Sequence, residues 1–314
     1  MIVRNMPAEM PMGELTYRAY NFPIMSHPYH IDWSVRWREQ VAAEHAQYNS
    51  VIEPSQQIGD FWGQQATRFR AARISDGSAP RDAFLEYLLP QIRPEARVLD
   101  VGSGAGRYAL PLARAGARVT ALDPSDAMIT TLRQDAQAEG LDIESHVSTW
   151  VEADIAIADM VVCAHVLYPV KDAEPFLHKL DSHAQNQVII LMGYEPPISW
   201  LAPYWRVAYG IERIWLPGAI EALALLHQMD IDATLTPLNA RLDIGFESLE
   251  MALGAVQSWL HLQPDAERDM RLMTELRTQL VPTKNGFRSK IAPQLAVLSW
   301  QKPLPKDARP TMQV

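Results

Sequence analysis

The stretch ArgValLeuAspValGlySerGlyAlaGlyArgTyr, residues 97–108, decides the fold. Val98, Leu99 and Val101 form a short apolar run of strand type, and Gly102, Gly104 and Gly106 mark a tight turn. Residues 107–114 then carry a helical pattern that Gly116 closes. A strand, a glycine loop and a helix in that order open a doubly wound α/β domain. Glycine suits such a turn because its backbone reaches angles that a Cβ hinders, and because it lets the main chain lie against a ligand.

The spacing separates two ligand classes. A dinucleotide loop reads Gly-x-Gly-x-x-Gly or Ala, its third small residue packing the helix on the strand. Counted from Gly102 that position is Arg107, too bulky for the role. After Gly116, residues 117–123 read AlaArgValThrAlaLeuAsp, a second apolar strand ending in Asp123, and Pro124, Ser125 and a helical run over 126–139 follow. A carboxylate at the tip of strand two can accept both ribose hydroxyl hydrogens, which makes Asp123 the expected ribose ligand. The alternative is a turn or helix-start aspartate, with Ser125 or Asp126 as the N-cap.

Gly-x-Gly-x-Gly preceded by Asp100 resembles motif I of the class I S-adenosylmethionine-dependent methyltransferases. Residues 159–172, AspMetValValCysAlaHisValLeuTyrProValLysAsp, resemble the stretch that follows strand four in the same superfamily, through Asp159, Val161, Val162, Val166, Leu167 and Tyr168. Together the resemblance covers residues 82–194 and is nearest to small-molecule branches, the methyltransferase domain types 11 and 25. It implies S-adenosylmethionine as cofactor, S-adenosylhomocysteine as product, and in-line methyl transfer, mainly by positioning, to an oxygen, nitrogen, sulfur or carbon of a small molecule. It implies cofactor contacts from Asp100, Gly102, Gly104, Gly106, Asp123, Pro124, Met128, Thr149, Trp150 and Ala164. Thr149 or Ser148 stands where the family often carries an acid for the adenine amino group, leaving the amide of Trp150 to meet the ring. Trp150 either stacks on the purine or caps the sheet. His165 and Tyr168 fall where the acceptor would lie, His165 being either a general base or a satisfied structural residue. The other readings are a protein methyltransferase and a catalytically inactive cofactor-binding interaction subunit.

The alternation continues with strands at 143–147, 160–164 and 188–192, helices at 83–92 and 174–180, then a helix at 219–229 and strands at 233–238 and 294–300. That pattern predicts a doubly wound, Rossmann-like, seven-stranded mostly parallel sheet. Its antiparallel last strand is implied by the resemblance. Residues 1–80 form an N-terminal helical extension covering cofactor and substrate, residues 81–302 the catalytic domain with insertions at 195–217 and 245–290, and residues 303–314 a loose tail. Trp33, Trp37, Val41, His45 and Tyr48 recur at helical spacing and predict a buried aromatic face. Residues 61–70 resemble an aromatic helix folded over the cofactor, with Trp62 and Phe69 either lining the pocket or packing. Trp200, Tyr204, Trp205, Arg206, Tyr209 and Trp215 read as a substrate-pocket wall in which Arg206 or Arg213 could hold an acidic group, or as plain packing. Leu249, Leu253, Val256 and Leu260 form one apolar stripe and Met270, Met273, Leu276 and Leu280 another, predicting a helix pair on the core or across a homodimer.

Composition fits this frame. The 314 residues are 48% hydrophobic and 21% charged with a formal net charge of −9, which argues against a nucleic-acid partner, since phosphate binding needs clustered Lys and Arg. No apolar run reaches the roughly 18 residues of a membrane span, and the first residues lack a signal-peptide core, so a cytoplasmic protein with no membrane partner is expected. The single cysteine, Cys163, lies in an apolar strand, and His27 and His30 near Asp32 make a poor metal site, so no metal is expected.

Overall fold

The computed structural model describes residues 31–52, 82–242 and 244–302. At its centre is a seven-stranded sheet ordered β3-β2-β1-β4-β5-β10-β6. The strands are β1 Arg97–Val101, β2 Arg118–Asp123, β3 Ile143–Val147, β4 Ala158–Ala164, β5 Ala184–Gly193, β6 Thr234–Arg241 and β10 Gln294–Gln301. β10 runs antiparallel to both β5 and β6, and β1 to β5 pair in parallel. The central strands are apolar on both faces, as a parallel sheet covered on two sides requires: Val98, Leu99, Val161, Val162 and Val188 through Met192 are all buried. In register, Val101 stands beside Leu122 and Cys163, so the carboxyl ends of β1, β2 and β4 meet at one edge, where ligands of such folds bind.

Helices cover both faces. α1 Trp33–Val51, α5 Ala173–His183 and α7 Ala219–Gln228 pack on one, while α2 Ala83–Leu88 and α3 Ala109–Arg114 cover the other. α4 Asp126–Glu139 follows β2, capped by the Ser125 hydroxyl. The predicted helix over 83–92 gives way to a 3₁₀ turn at Leu89–Gln91, because Pro90 has no N–H to continue it. α3 starts two residues later than the pattern suggested, the residues before it being used by the glycine turn.

The two insertions make one separate apolar cluster. α6 Ala202–Tyr209, α8 Leu249–Trp259 and α9 Ala266–Gln279 enclose Trp200, Tyr204, Trp205, Val256, Leu260, Leu272 and Leu276. The expected helix pair is present, with two departures. Met270 is 66% exposed, and Leu280 opens a strand instead of extending the stripe. That strand, β8 Leu280–Thr283, pairs with β9 Gly286–Ser289, which pairs with β7 Gly245–Phe246, as a small antiparallel sheet.

α1 is fixed by its side chains. Trp37 is buried and its Nε1 donates to the Val170 carbonyl at 2.8 Å. The aromatic stripe departs from expectation at one position: His45 is exposed and Glu44 is buried instead. The reason is Arg213, whose guanidinium donates to Glu44 Oε1 at 2.8 Å and lies 4.5 Å from the Trp205 ring. Both members are almost fully enclosed, so removing one strands the other in a poorly solvated site. Glu44→Ala is expected to lower unfolding stability in urea by about 3 kcal/mol, whereas Arg38→Ala, which breaks an exposed pair with Asp172, should cost under about 1 kcal/mol. Equal losses would show that the Glu44–Arg213 pair does not fasten α1.

Candidate functional site

The glycine turn leaves β1 and is held from below by β2. The amides of Gly102 and Ser103 both donate to the Leu122 carbonyl, at 2.8 and 2.9 Å. Gly102 and Gly104 take φ of +74° and +52°, angles that other residues adopt at a cost. Their surroundings differ. A Cβ on Gly102 would lie 2.2 Å from Val166 Cγ2, whereas one on Gly104 would meet only Met128 Sδ at 3.9 Å. Gly102 is therefore needed for packing against the segment after β4, and Gly104 faces open space. Gly106 completes the turn at φ +83°. Met128, buried with Ala105, forms the floor of the loop, and Pro124 is exposed beside it.

Asp123 joins this loop to the next element. Its Oδ2 accepts from the Gly104 amide and its Oδ1 from the Ser125 amide, each at 2.9 Å. Both readings of this residue thus hold in part: it is a turn aspartate and it sits at the tip of β2 against the loop. Each carboxylate oxygen carries two lone pairs, so these two bonds do not by themselves exhaust its capacity to accept.

Around the loop are polar atoms that lack a hydrogen bond of normal geometry among the described residues. Both oxygens of Asp100, Ser103 Oγ, Tyr108 OH and His165 Nε2 are buried without a hydrogen bond of normal geometry. Burial, reinforced by the negative charge of Asp123, pushes the Asp100 carboxyl up to about 7, although the Ala109 amide opposes the shift. Tyr108 is raised by burial and lies in the field of Arg107, Asp82 and Asp100. Arg107, the residue that breaks the dinucleotide pattern, reaches back to Asp82 at 2.8 Å instead of packing helix on strand.

His165 follows β4 with φ +61°, a sparsely populated conformation for a residue with a Cβ. Its amide donates to the Leu191 carbonyl, and its Nδ1 is 3.3 Å from the Tyr168 hydroxyl. That hydroxyl also accepts from the Gly193 amide. When it donates its own hydrogen to Nδ1, the proton of the neutral ring is on Nε2. Burial and the nearby Arg107 lower the imidazole to about 4, so the ring is neutral near pH 7. A ring in that tautomer is a donor at its buried end, the alternative to its reading as a general base. Tyr168 is buried and bonded to both His165 and Gly193.

Other expected residues lie elsewhere. Thr149 is exposed and its hydroxyl donates to Glu152 at 2.7 Å. Trp150 is buried, its Nε1 donating to the Phe176 carbonyl and its ring lying 4.7 Å from Lys179 Nζ, which favours the sheet-capping alternative over purine stacking. Ala164 ends β4 next to His165. Trp200 and Trp205 are core residues of the helical cluster, and Arg206 is exposed and paired with Glu212, which favours the packing alternative for these residues. Arg213 is likewise taken by Glu44. Trp62, Phe69, His27 and His30 lie outside the described residues. No cluster of metal-ligating side chains occurs among the described residues. Sequence reasoning missed Ser103 and Tyr108; both lie inside the quoted motif, but nothing in it signals that their hydroxyls are buried without partners.

The sheet order, with the glycine turn after β1 and the carboxylate after β2, agrees with the fold expected from the resemblance to class I S-adenosylmethionine-dependent methyltransferases. Residues 98–186 match the model of the Methyltransferase domain family. A ubiquinone biosynthesis O-methyltransferase of Methylocella silvestris is 41% identical over 101 residues, which are 31% of this chain and 38% of that one. An uncharacterized protein of Haemophilus influenzae is 29% identical over 180 residues, 55% of this chain and 64% of that one. The chain thus spans less than two thirds of the length of these curated relatives. The YcgJ protein of Bacillus subtilis shares the fold, with a TM-score of 0.50 at 15% identity over 69% of this chain and 97% of that one.

Two measurements check this geometry. Gly102→Ala should lower the melting temperature clearly more than Gly104→Ala, because only the first drives a methyl into Val166; equal losses would mean that left-handed strain alone governs both. The Asp100 shift sets a pH dependence. Its folded value near 7 lies above the ordinary 3.8, so the folded state holds a proton that the unfolded state has lost, and stability falls as pH rises between the two. Asp100→Asn should therefore gain up to about 4 kcal/mol relative to the parent between pH 4 and pH 8 in urea titrations. A difference that is constant with pH would contradict the raised value.

Proposed function

We propose that this protein transfers a methyl group from S-adenosylmethionine to a small-molecule acceptor, releasing S-adenosylhomocysteine. The observation that carries the reading is the ring of orphaned buried polar atoms about the loop. Buried polar groups are almost always paired, so a set of them at the ligand edge of the sheet calls for a ligand. The residues fit this one. A buried carboxyl at Asp100 and a donor at His165 Nε2 suit the ammonium and carboxylate of a methionine end, and Asp123 with the open Gly104 suits a ribose beside main chain.

S-adenosylmethionine supplies, when bound, a methyl group already activated on a sulfonium. The work left to the chain is binding, alignment and exclusion of water. Gly102, Gly104 and Gly106 give the main chain its approach, Asp123 fixes the ribose, and Met128 and Pro124 form the floor and rim. Ala164 ends the wall, and the amide of Trp150, with Thr149 next to it, borders the adenine end. His165, held by Tyr168, acts as a positioning donor. α1 serves as part of a cover over this site, in keeping with the ties of Trp37 and Arg38 to the segment after β4.

The reaction belongs in the cytoplasm, a placement supported by the single buried Cys163 and the net negative charge. Among the described residues no helix is long and apolar enough to cross a membrane. Self-association through the α8–α9 face is supported by the exposed side chains of Met251 and Met270.

Calorimetry with S-adenosylhomocysteine tests the reading. Asp123→Ala should weaken binding at least about tenfold through the loss of charge-assisted bonds, and Gly104→Val by at least as much, because its side chain fills the space at the loop and strains the turn. His165→Gln, which keeps an N–H donor, should bind better than His165→Leu. Equal binding by all four variants would refute the site, and failure to release labelled methyl to any metabolite in an extract would refute the activity.

A further inference from the structure

A half-open cavity lies at the carboxyl end of β5. Its volume is about 510 Å³, enough for a small molecule. Tyr194 and Glu195, which follow directly on Gly193, form one side, and Gly193 is the residue bonded to Tyr168. The cavity therefore begins where the chain of bonds from His165 ends. α1 contributes Gln40, the segment leading into α7 contributes Trp215, and the first turn of α7 contributes Glu221.

The chemistry of this lining is one-sided. Its charged residues are the two carboxylates Glu195 and Glu221, with no Lys, Arg or His among the lining residues. The nearby guanidinium of Arg213 is bonded to buried Glu44. Tyr194 and Trp215 add two aromatic rings, whose faces attract cations. At the wall is Ser199, 3% exposed, with its Oγ lacking any hydrogen-bond partner. An enclosed hydroxyl without a partner in a cavity wall is a place for a ligand's polar group.

We propose that this cavity is the acceptor subsite and that it takes an amine-bearing, positively charged small molecule, its ammonium held by Glu195 and Glu221 and a further polar group bonded to Ser199. The proposal rests on the methyl-transfer reading for the word acceptor and on the cavity alone for the charge. It reverses the expectation, raised by the sequence, that an arginine in this segment would hold an acidic substrate. Glu221 is the stronger of the two carboxylates in this role. It is half-buried, and its Oε2 is fixed by the Gly218 amide at 3.0 Å, whereas Glu195 is exposed and more fully screened.

The test uses the full chain saturated with S-adenosylhomocysteine and two probes of similar size, tyramine and 4-hydroxyphenylacetate, titrated by calorimetry at pH 7.5. Tyramine should bind at least about tenfold more tightly than the carboxylate probe. Glu221→Gln, which can still cap α7, should weaken tyramine binding about tenfold and Glu195→Gln about threefold, with S-adenosylhomocysteine affinity unchanged. Equal or tighter binding of 4-hydroxyphenylacetate, no tyramine binding at millimolar concentration, or unchanged tyramine binding in both variants would overturn the proposal. If S-adenosylhomocysteine itself fails to bind while tyramine does, the methyl-transfer reading falls and the charge preference of the cavity stands.

Discussion

The Asp123 carboxylate, bonded at once to the Gly104 and Ser125 amides, is the constraint on which the site depends. It ties the turn after β1 to the start of α4 after β2, two stretches of chain that the parallel register brings to the same edge. Without that tie the glycine turn would keep its two bonds to the Leu122 carbonyl but lose the one that orients Gly104. Gly104 is also the position at which the loop opens to space, so the same carboxylate that fixes the backbone borders the ligand.

The second constraint comes from the opposite side of β1. Val166 fills the room left by Gly102, next to His165, whose backbone is left-handed. Tyr168 then closes the arrangement by bridging His165 to Gly193 at the end of β5. Strands β1, β4 and β5 are thus linked at their carboxyl ends by side chains as well as by the sheet. The price is several buried polar atoms that the protein leaves unsatisfied, at a cost of about 1–3 kcal/mol each. A ligand that pairs with them recovers part of that energy, which ties local instability to binding.

The core of the fold was legible in the sequence because its signals are local. The glycine spacing, the apolar strands and the Ser125 cap each act within a few residues, and β3 and α4 fall on the expected boundaries. What could not be read was decided by distant partners. Glu44 takes the place of His45 on the buried face of α1 because Arg213, far along the chain, needs an anion. Trp200 and Trp205 looked like a pocket wall, yet α8 and α9 enclose them. The small sheet after α9 did leave a signal in Asn285–Gly286, a hairpin dipeptide, which the helical stripes around it outweighed. The neutral state of His165 is a tertiary property of the same kind, set by its burial and by the nearby Arg107.

The most direct test is a crystal structure of the protein with S-adenosylhomocysteine. The account predicts the ribose on Asp123 beside the Gly104 main chain, with Asp100 and His165 Nε2 each hydrogen-bonded to the amino-acid end of the ligand. A ligand bound elsewhere, with Asp100 and His165 still unpartnered, would contradict it.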